Sequence, residues 1–440
     1  MTHQKTILSN GIRIVSDHVP HVPSISLGIW VNAGSREETR EENGISHFIE
    51  HMIFKGTRHR SPLQIAKELD AIGGLSNAFT GKETTCFHAR ILEKDFGKLV
   101  DILSDIFLNS TFSPEDLELE RQVIFREINM VEDCPDDHVH ELFSRFFWSN
   151  HAIGMPIMGT GQTVAGIRRE NLLDYIGRFY VPDRILVAAA GNVSHQRLVS
   201  AFRPVLEPLE GEGPQPLDTV PKANAGSRAY VKDLEQVQIC LGGEAPGLTG
   251  DRRFASAVFN TILGGNMSSR LFQEIREKRA LAYGVYSFLS AYRDTGLLGV
   301  YTATDPGNVN AVLETIWSEI ASIAKGGVSD TEVAEAKDHV TGGISLSSES
   351  VDGLMMRLAR NEFVFGKYVG LEEIIANIER VTTEEVIRAA ADIFQNGRNS
   401  LVTLGPFDES DLAEEGFPFH TCEPGISADR IGEMSSICNQ

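Results

Sequence analysis

The sequence predicts an α+β fold made of two homologous domains, each a mainly antiparallel sheet flanked by helices. Three observations lead to this prediction. Alternating apolar runs joined by tight turns are typical of antiparallel strands, and they are interspersed with segments of helical periodicity. A stretch rich in proline and glycine lies near the middle of the 440 residues. A capped helix start recurs 216 residues further along the chain.

Strands and helices are mixed throughout the first half. Residues 9–11, Ser-Asn-Gly, form a tight turn between two short strands, and Gly81 lies between two others, so two hairpins are expected. Ser61 followed by Pro62 is the pattern of a helix N-cap, and Gly73 follows the helix. The predicted strands span 5–8, 12–16, 24–31, 75–80, 84–92 and 184–190. The predicted helices span 62–72, 95–108, 114–131 and 196–202.

Near the midpoint, residues 206–225 contain four prolines and two glycines without an apolar period, which indicates a linker. The same pattern of strands and helices then begins again. Ser113 opens a helix that runs through Ile128, and Ser329 opens one that runs through Ile344, with acidic residues in both first turns. This repeat predicts a duplicated domain. Strands are expected again at 229–232 and 237–242. The expected division is a first domain at 1–205, a linker at 206–225, a second domain at 226–407 and a polar tail at 408–440.

Composition excludes several classes of protein. The chain has 61 acidic and 40 basic residues, a net charge of −21, which argues against nucleic-acid binding and against an anionic membrane surface. No stretch approaches the roughly 18 apolar residues of a membrane span. Residues 1–9 show no signal core or presequence, and the five cysteines have no Cys-x-x-Cys spacing. We therefore expect a bacterial cytoplasmic protein, or a mitochondrial matrix protein if a presequence has been removed.

The sharpest chemical signal is at residues 47–51, which read His-Phe-Ile-Glu-His. On a helix, His47 and His51 are four residues apart and lie on one face, so both imidazoles can point at one metal ion. Glu50 lies at the edge of the same face and can act on a metal-bound water. This is the inverted order of the His-Glu-x-x-His zinc motif. Two histidines on a solvated helix face are the alternative, which the apolar residues around the motif disfavour.

The flanks of this motif carry a family resemblance. Residues 43–57 read Asn-Gly-Ile-Ser-His-Phe-Ile-Glu-His-Met-Ile-Phe-Lys-Gly-Thr and resemble the zinc motif of the insulinase, or pitrilysin-type, peptidases, especially the mitochondrial-processing-peptidase group. Upstream, residues 34–36 (Gly-Ser-Arg) agree. That family takes a third ligand from a glutamate 76 positions after the second histidine, which here is Glu127. Glu120, seven residues earlier, matches the glutamate that supports the ligands. Either acid alone would suit a solvated helix, but both match.

The resemblance implies one Zn²⁺ per chain, held by His47, His51 and Glu127, with a fourth position left for water. Such a site lowers the pKa of that water, so Glu50 can take its proton and pass it to the leaving amine. The repeat maps Glu120 and Glu127 onto alanine and glycine in the second half, which also lacks the histidine motif. One domain is therefore expected to carry the metal, and the other to bind substrate across a chamber.

The second half contributes Arg276 and Tyr283, seven residues apart, as the family's C-terminal domain does. By resemblance they reach the zinc site and hydrogen-bond substrate carbonyls. Basic residues that end a helix also suit its macrodipole, which is the local alternative for Arg276. The family's chains of this size pair, so a homodimer or a heterodimer with a related subunit is expected.

Two further sets are matched to substrate by resemblance. Asn77, Ala78 and Phe79 match the strand edge to which the family adds an extended peptide, although a plain half-buried strand fits equally well. Asp137 and Glu141 lie 10 and 14 positions after the third ligand, where processing peptidases bind an arginine of the substrate. Their spacing lets one guanidinium meet both carboxylates. The expected substrate is therefore a basic, unfolded peptide.

The favoured interpretation is a zinc endopeptidase that hydrolyses extended peptides or presequences, with a preference for arginine near the cleavage site. Two alternatives stay open. One is a metal-bearing structural subunit without turnover, and the other is a scavenger that holds peptides without cutting them. The base Glu50 and all three ligand positions are intact, which favours turnover.

Overall fold

Each half of the chain builds one mixed β-sheet. The structure, a computed structural model, describes residues 2–215, 219–395 and 397–412. The first sheet consists of β1 (Thr2–Ile7), β2 (Arg13–His18), β3 (Ser24–Val31), β4 (Leu75–Thr80), β5 (Thr85–Leu92) and β6 (Ile185–Gly191). The second consists of β7 (Gly226–Val231), β8 (Val237–Ala245), β9 (Ala282–Ala291), β10 (Gly296–Thr304) and β11 (Asn399–Gly405).

Helices cover the sheets in both halves. The first half contains α1 (Ile45–Met52), α2 (Pro62–Ala71), α3 (Phe96–Asn109), α4 (Pro114–Asp133), α5 (Pro135–Phe147), α6 (Gly161–Gly166), α7 (Arg169–Phe179) and α8 (His195–Leu206). The second half contains α9 (Arg253–Gly264), α10 (Val309–Ala324), α11 (Asp330–Ser347), α12 (Val351–Phe365), α13 (Leu371–Glu379) and α14 (Thr383–Phe394). A π-helical segment, Phe272–Lys278, precedes β9. None of the helices described is long and apolar enough to cross a membrane.

The two sheets share one topology. Their strand orders are β1-β2-β6-β3-β5-β4 and β7-β11-β8-β10-β9. In each sheet one pair is parallel, β2 with β6 and β7 with β11, and the other pairs are antiparallel. The second sheet therefore repeats the first without its edge strand β1. The predicted α+β fold class, with two mainly antiparallel sheets flanked by helices, is confirmed.

The helices that open the repeat are equivalent in the structure. Ser113 caps α4 by accepting a hydrogen bond from the Asp116 amide, and Ser329 caps α11 by accepting one from the Glu332 amide. Both caps follow from a serine that satisfies an otherwise unpaired amide of the first turn. In the first half, α4 packs beside α1, the helix that follows β3. In the second half, α11 packs beside α9, the helix that follows the equivalent strand β8.

Two helices are exchanged between the halves. From the first half, α5 inserts Val139, Phe143 and Phe147 against Cys240 and Val402 of the second sheet. Burying a large apolar side chain stabilises by about 1.5–3 kcal/mol, so this contact ties the halves together.

The exchange is reciprocal. From the second half, α12 packs Leu354, Met355 and Leu358 against Trp30 and Ala188 of the first sheet. The expected division at 206–225 stays a prediction: α8 ends before this segment and β7 begins after it, while residues 216–218 lie outside the described ones. Most of the predicted tail, residues 413–440, also lies outside them.

Candidate metal centre

The helix that carries the histidine motif begins at a constrained backbone position. Gly44 has φ +97°, and a Cβ there would lie 2.7 Å from the carbonyl oxygen of Met158, so the position requires glycine. The buried carboxylate of Glu38 accepts hydrogen bonds from the amides of Gly44 and Ser46, both at 2.9 Å. This acid satisfies first-turn amides and complements the positive end of the helix. The start of α1 is therefore fixed by contacts on both sides.

One face of α1 is buried in the core of the first half. The fully buried side chains are Ile45, Phe48, Ile49 and Met52. The helical period then places His47, Glu50 and His51 together on the remaining face, as the motif predicts. The exposed fractions of the His47 and His51 side chains are only 14% and 16%. A freely solvated histidine face, the alternative to a metal site, does not describe this helix.

Glu127 on α4 meets both histidines. Its Oε2 lies 3.7 Å from Nε2 of His47 and 3.4 Å from Nε2 of His51. One ligand atom from each of the three side chains lies within 4.8 Å of the other two. Two imidazoles and one carboxylate around one point are the donor set of a catalytic zinc ion, which keeps its fourth position for water or substrate. These three residues fit the metal.

Behind the ligands, two further side chains hold His51. Nδ1 of His51 is 3.0 Å from Oε2 of Glu120, which leaves Nε2 facing Glu127. The other oxygen of Glu120 pairs with Nζ of Lys55 at 2.6 Å. A carboxylate on the far nitrogen fixes the orientation of a ligating histidine and increases its basicity. Glu120 therefore lies where the sequence predicts, and Lys55 is a partner that the sequence analysis missed.

The electrostatics of the histidines also suit a metal. Burial, reinforced by the neighbouring His51, lowers the pKa of His47 to about 4. His47 is therefore neutral at pH 7, the form in which an imidazole nitrogen can bind a cation.

Glu50 lies beside the cluster and makes a different contact. Its Oε2 accepts a hydrogen bond of 2.6 Å from the hydroxyl of Thr80, at the end of β4. Burial raises the pKa of Glu50, while the hydroxyl of Thr80 opposes this shift. The side chain is thus held next to the ligands without joining them. Thr80 is the second residue that sequence reasoning missed, although it ends a strand that was predicted.

The predicted substrate strand is an edge strand. β4 pairs with β5 on one side only, at the end of the first sheet. Asn77 is exposed, and Ala78 and Phe79 are half-buried. The Asn77 side chain accepts a hydrogen bond from the amide of Ala78. An extended peptide could add to the open side of this strand.

The predicted arginine-binding acids lie on one helix, α5, one turn apart. Asp137 is exposed and Glu141 is half-buried. Burial raises the pKa of Glu141, and the cation of Lys82 opposes this. A basic group of the protein itself therefore already acts on one of the two acids.

Arg276 and Tyr283 are brought together, but not to the metal ligands. The guanidinium of Arg276 lies 5.1 Å from the centre of the Tyr283 ring, and Tyr283 is 84% exposed. Within the described residues, neither side chain makes a hydrogen bond, ion pair or ring contact with α1 or α4. Their predicted contact with a zinc site stays a prediction.

Fold and site together define a metal-dependent peptidase, and the comparisons agree. Residues 13–161 match the insulinase (peptidase family M16) model, and residues 166–340 match the peptidase M16 inactive domain. An uncharacterized zinc protease of Bacillus subtilis is 39% identical over 88% of this chain and 94% of its own. One of Mycobacterium leprae is 40% identical over 92% of each.

The solved structures agree in fold. A protease from Helicobacter pylori superimposes with a TM-score of 0.85 at 21% identity, covering 92% of this chain and 99% of its own. A peptidase M16 inactive domain from Pseudomonas fluorescens gives 0.86 at 18% identity, covering 92% and 98%. The chain belongs to the insulinase family of zinc proteases, which confirms the predicted family.

Proposed function

We propose that this chain is a zinc endopeptidase that hydrolyses extended, unfolded peptides. The observation that carries the proposal is the convergence of His47, His51 and Glu127, with Glu50 beside them. A structural metal site needs four protein ligands and no base, whereas this cluster offers three ligands and a neighbouring free carboxylate.

In this proposal each acid has a separate role. His47, His51 and Glu127 hold the metal, and Glu120 orients His51. A bound zinc ion would lower the pKa of its water and polarise the scissile carbonyl. Glu50 takes a proton from the attacking water and gives it to the leaving amine. Its burial, which raises its pKa, favours the first of these two transfers, because a carboxylate with a higher pKa is a stronger base.

The open edge of β4 explains why the substrate should be extended. A peptide that pairs with this edge is held mainly through its backbone, so a folded segment cannot bind there. Thr80 ends the strand and contacts Glu50, so the bound peptide would run toward the base. Asn77, Ala78 and Phe79 are the proposed contact residues.

A preference for arginine near the scissile bond rests on Asp137 and Glu141. The nearby cation of Lys82 weakens Glu141 as a receptor, so the exposed Asp137 is proposed as the principal partner. Two peptides that differ only by an arginine-to-alanine change test this point. The proposed preference predicts a higher kcat/KM for the arginine peptide, and equal values would remove it.

A dimer completes the proposed site. Arg276 and Tyr283 make no contact with their own chain's ligand helices in the described residues, while Tyr283 is almost fully exposed. On α4, three exposed apolar side chains lie on the flank of Glu127, namely Leu119, Val123 and Met130. Exposed apolar groups clustered on one helix face suit a protein contact. A second copy would cover that face and bring its Arg276 and Tyr283 toward the metal, and a related subunit could do the same.

A reducing cytosol is the proposed compartment. Within the described residues, Cys86, Cys134 and Cys240 are free, and two of them are buried. Free thiols persist in a reducing environment.

The test is incubation of the purified chain with a basic, presequence-like peptide, with and without a chelator, read by mass spectrometry. The proposal predicts internal cleavage that the chelator abolishes and that added zinc restores. The Glu50→Gln variant is the matched control, because it keeps the ligands. An unchanged peptide mass would support the structural or scavenging alternative instead.

A further inference from the structure

A cavity of about 300 Å³ lies on the seam between the two halves, apart from the metal centre. Three parts of the chain line it: the first half around β3 and the turn between β4 and β5, the second half around the turn between β9 and β10, and α12. Its volume is at the lower end of the range of small-molecule sites in proteins, about 300–1,000 Å³. Its lining contains none of the residues proposed to hold the metal or the peptide.

One side of the cavity is apolar. Its apolar lining consists of Trp30, Leu248, Met356, Phe363 and Val364. Trp30 is 4% exposed and is also packed edge-on against Phe79 of β4. Such a wall suits an aliphatic or aromatic body and cannot satisfy a polar ligand alone.

The two acids of the lining are already engaged. Glu83 accepts a hydrogen bond of 2.7 Å from Arg36 and another from the amide of Arg293. Glu37 accepts one from the amide of Gly34, and burial raises its pKa to about 7, which reduces its negative charge at neutral pH. Neither acid therefore supplies a free anion to the cavity.

The cations of the lining are less completely matched. Lys82 donates to the carbonyl of Met155, and burial lowers its pKa to about 8. Arg293 neighbours Asp294, but that carboxylate already binds Arg36 through both oxygens. Arg360, on α12, lines the cavity from an exposed position, and the described residues supply no hydrogen bond or ion pair to it. This guanidinium is therefore available to an anionic ligand, next to the apolar side chains of the same cavity.

We propose that this cavity is a binding site for a small amphipathic carboxylate, with its anionic head on Arg360 and an apolar body of about ten non-hydrogen atoms against Trp30 and Phe363. The carboxylate head pairs with the guanidinium of Arg360. The apolar body covers apolar side chains of the lining that would otherwise contact water. A fatty acid and the free C-terminus of an apolar peptide share this chemistry.

Binding there has a structural consequence. The ligand touches both halves and the turn that follows β4, so it stabilises the arrangement in which they meet. Because it binds only the folded chain, it raises the melting temperature, and the rise grows with the logarithm of ligand concentration above the dissociation constant.

Calorimetric titration of the full chain tests the site without reference to peptidase activity, so its outcome is separable from the proposed function. The probes are octanoate for the fatty-acid source, N-acetylphenylalanine for the peptide source, and octanamide as the neutral match of octanoate. We expect at least one carboxylate to bind and raise the melting temperature, and octanamide to bind at least tenfold more weakly than octanoate if octanoate is the ligand.

Arg360→Met should weaken the carboxylate at least tenfold, and Arg388→Met, at an exposed arginine of α14, should leave binding unchanged. The comparison of octanoate with octanamide on the unaltered chain keeps the test decisive if Arg360→Met fails to fold. The proposal is overturned if neither carboxylate binds, if octanoate is the one that binds and octanamide binds equally well, or if Arg360→Met folds and binds like the original chain.

Discussion

The two halves share one sheet topology, but they differ in the residues that could hold a metal ion. In the first half, α4 carries Glu120 and Glu127 toward the histidines of α1. In the second half, the equivalent helix α11 has Ala336 and Gly343 at those positions. The same sheet topology is therefore present with these acids in one half and without them in the other. The difference shows that the sheet supplies a frame and that a few side chains supply the chemistry.

The partner helices differ in the same way. In the first half, α1 buries one face and leaves three polar side chains together on the other. In the second half, α9 occupies the equivalent place and buries Val258, Phe259, Ile262 and Leu263 on a longer helix. The equivalent helix of the second half therefore serves for packing, and its sequence has no His-x-x-Glu-His motif.

The largest expected effect comes from removing the carboxylate of Glu127, which the second half lacks at the equivalent position. We expect Glu127→Ala to reduce zinc from one ion per chain to almost none, because a direct ligand is lost; the effect should exceed the roughly 10–100-fold weakening that follows loss of an outer partner. Metal analysis after dialysis measures this. Gln122→Ala, at an exposed position of the same helix, is the control and should retain zinc. Full zinc content in Glu127→Ala would contradict the assignment.

Next is the loss of the base without loss of the metal. Glu50→Gln should keep zinc and lower kcat by roughly 10²–10⁴-fold, the usual contribution of a general acid–base group. Metal content and peptide cleavage are measured on the same sample. Ordinary peptidase activity in this variant would show that Glu50 is not the base.

A smaller effect is expected from the strand that contacts the base. Thr80→Val removes the hydroxyl that donates to Glu50 and keeps the shape of the side chain. We expect kcat to fall roughly 10–150-fold, since a hydrogen bond to a charged group contributes about 1.5–3 kcal/mol. KM and zinc affinity should stay unchanged, and Thr80→Ser should restore kcat. An equal loss in zinc affinity would indicate a merely structural role.

The smallest effect is expected at Gly343, the residue of the second half that is equivalent to Glu127. Gly343 lies in the interior of α11, and a Cβ there would meet nothing within 4 Å. Gly343→Ala should therefore raise the free energy of unfolding by about 0.5–1 kcal/mol, because alanine restricts the unfolded chain more than glycine does. Thermal or urea unfolding measures the change. A loss of stability would mean that another surface packs on this helix.

Much of the local structure was predictable from the sequence. The predicted strands at 24–31 and 75–80 coincide with β3 and β4, and the helix expected after Ser61 is α2. These elements depend on short-range patterns: alternation, capping and turn residues. The predicted strand at 229–232 overlaps β7, which begins three residues earlier at Gly226 and ends one residue earlier at Val231, because its ladder with β11 spans those residues.

The candidate site likewise contains residues that the sequence predicts and contacts that it does not predict. His47 and His51 follow from the helical period alone, and Glu127 follows from the family spacing. The contacts of Lys55 with Glu120 and of Thr80 with Glu50 do not follow from any local pattern. They join segments separated by 65 and 30 residues, which meet only when the chain folds.

The sequence by itself determined the fold class and the family, and it predicted the duplication and the proposed ligand set. These features depend on periodicities and fixed spacings, which can be recognised in the linear order of residues. The tertiary structure alone decided that α5 and α12 each pack on the sheet of the other half, that Glu50 accepts a hydrogen bond from an edge strand, and that a cavity lined by Arg360 lies between the halves. An amphipathic pattern shows that a face is buried, but the surface that buries it is chosen only when distant segments pack.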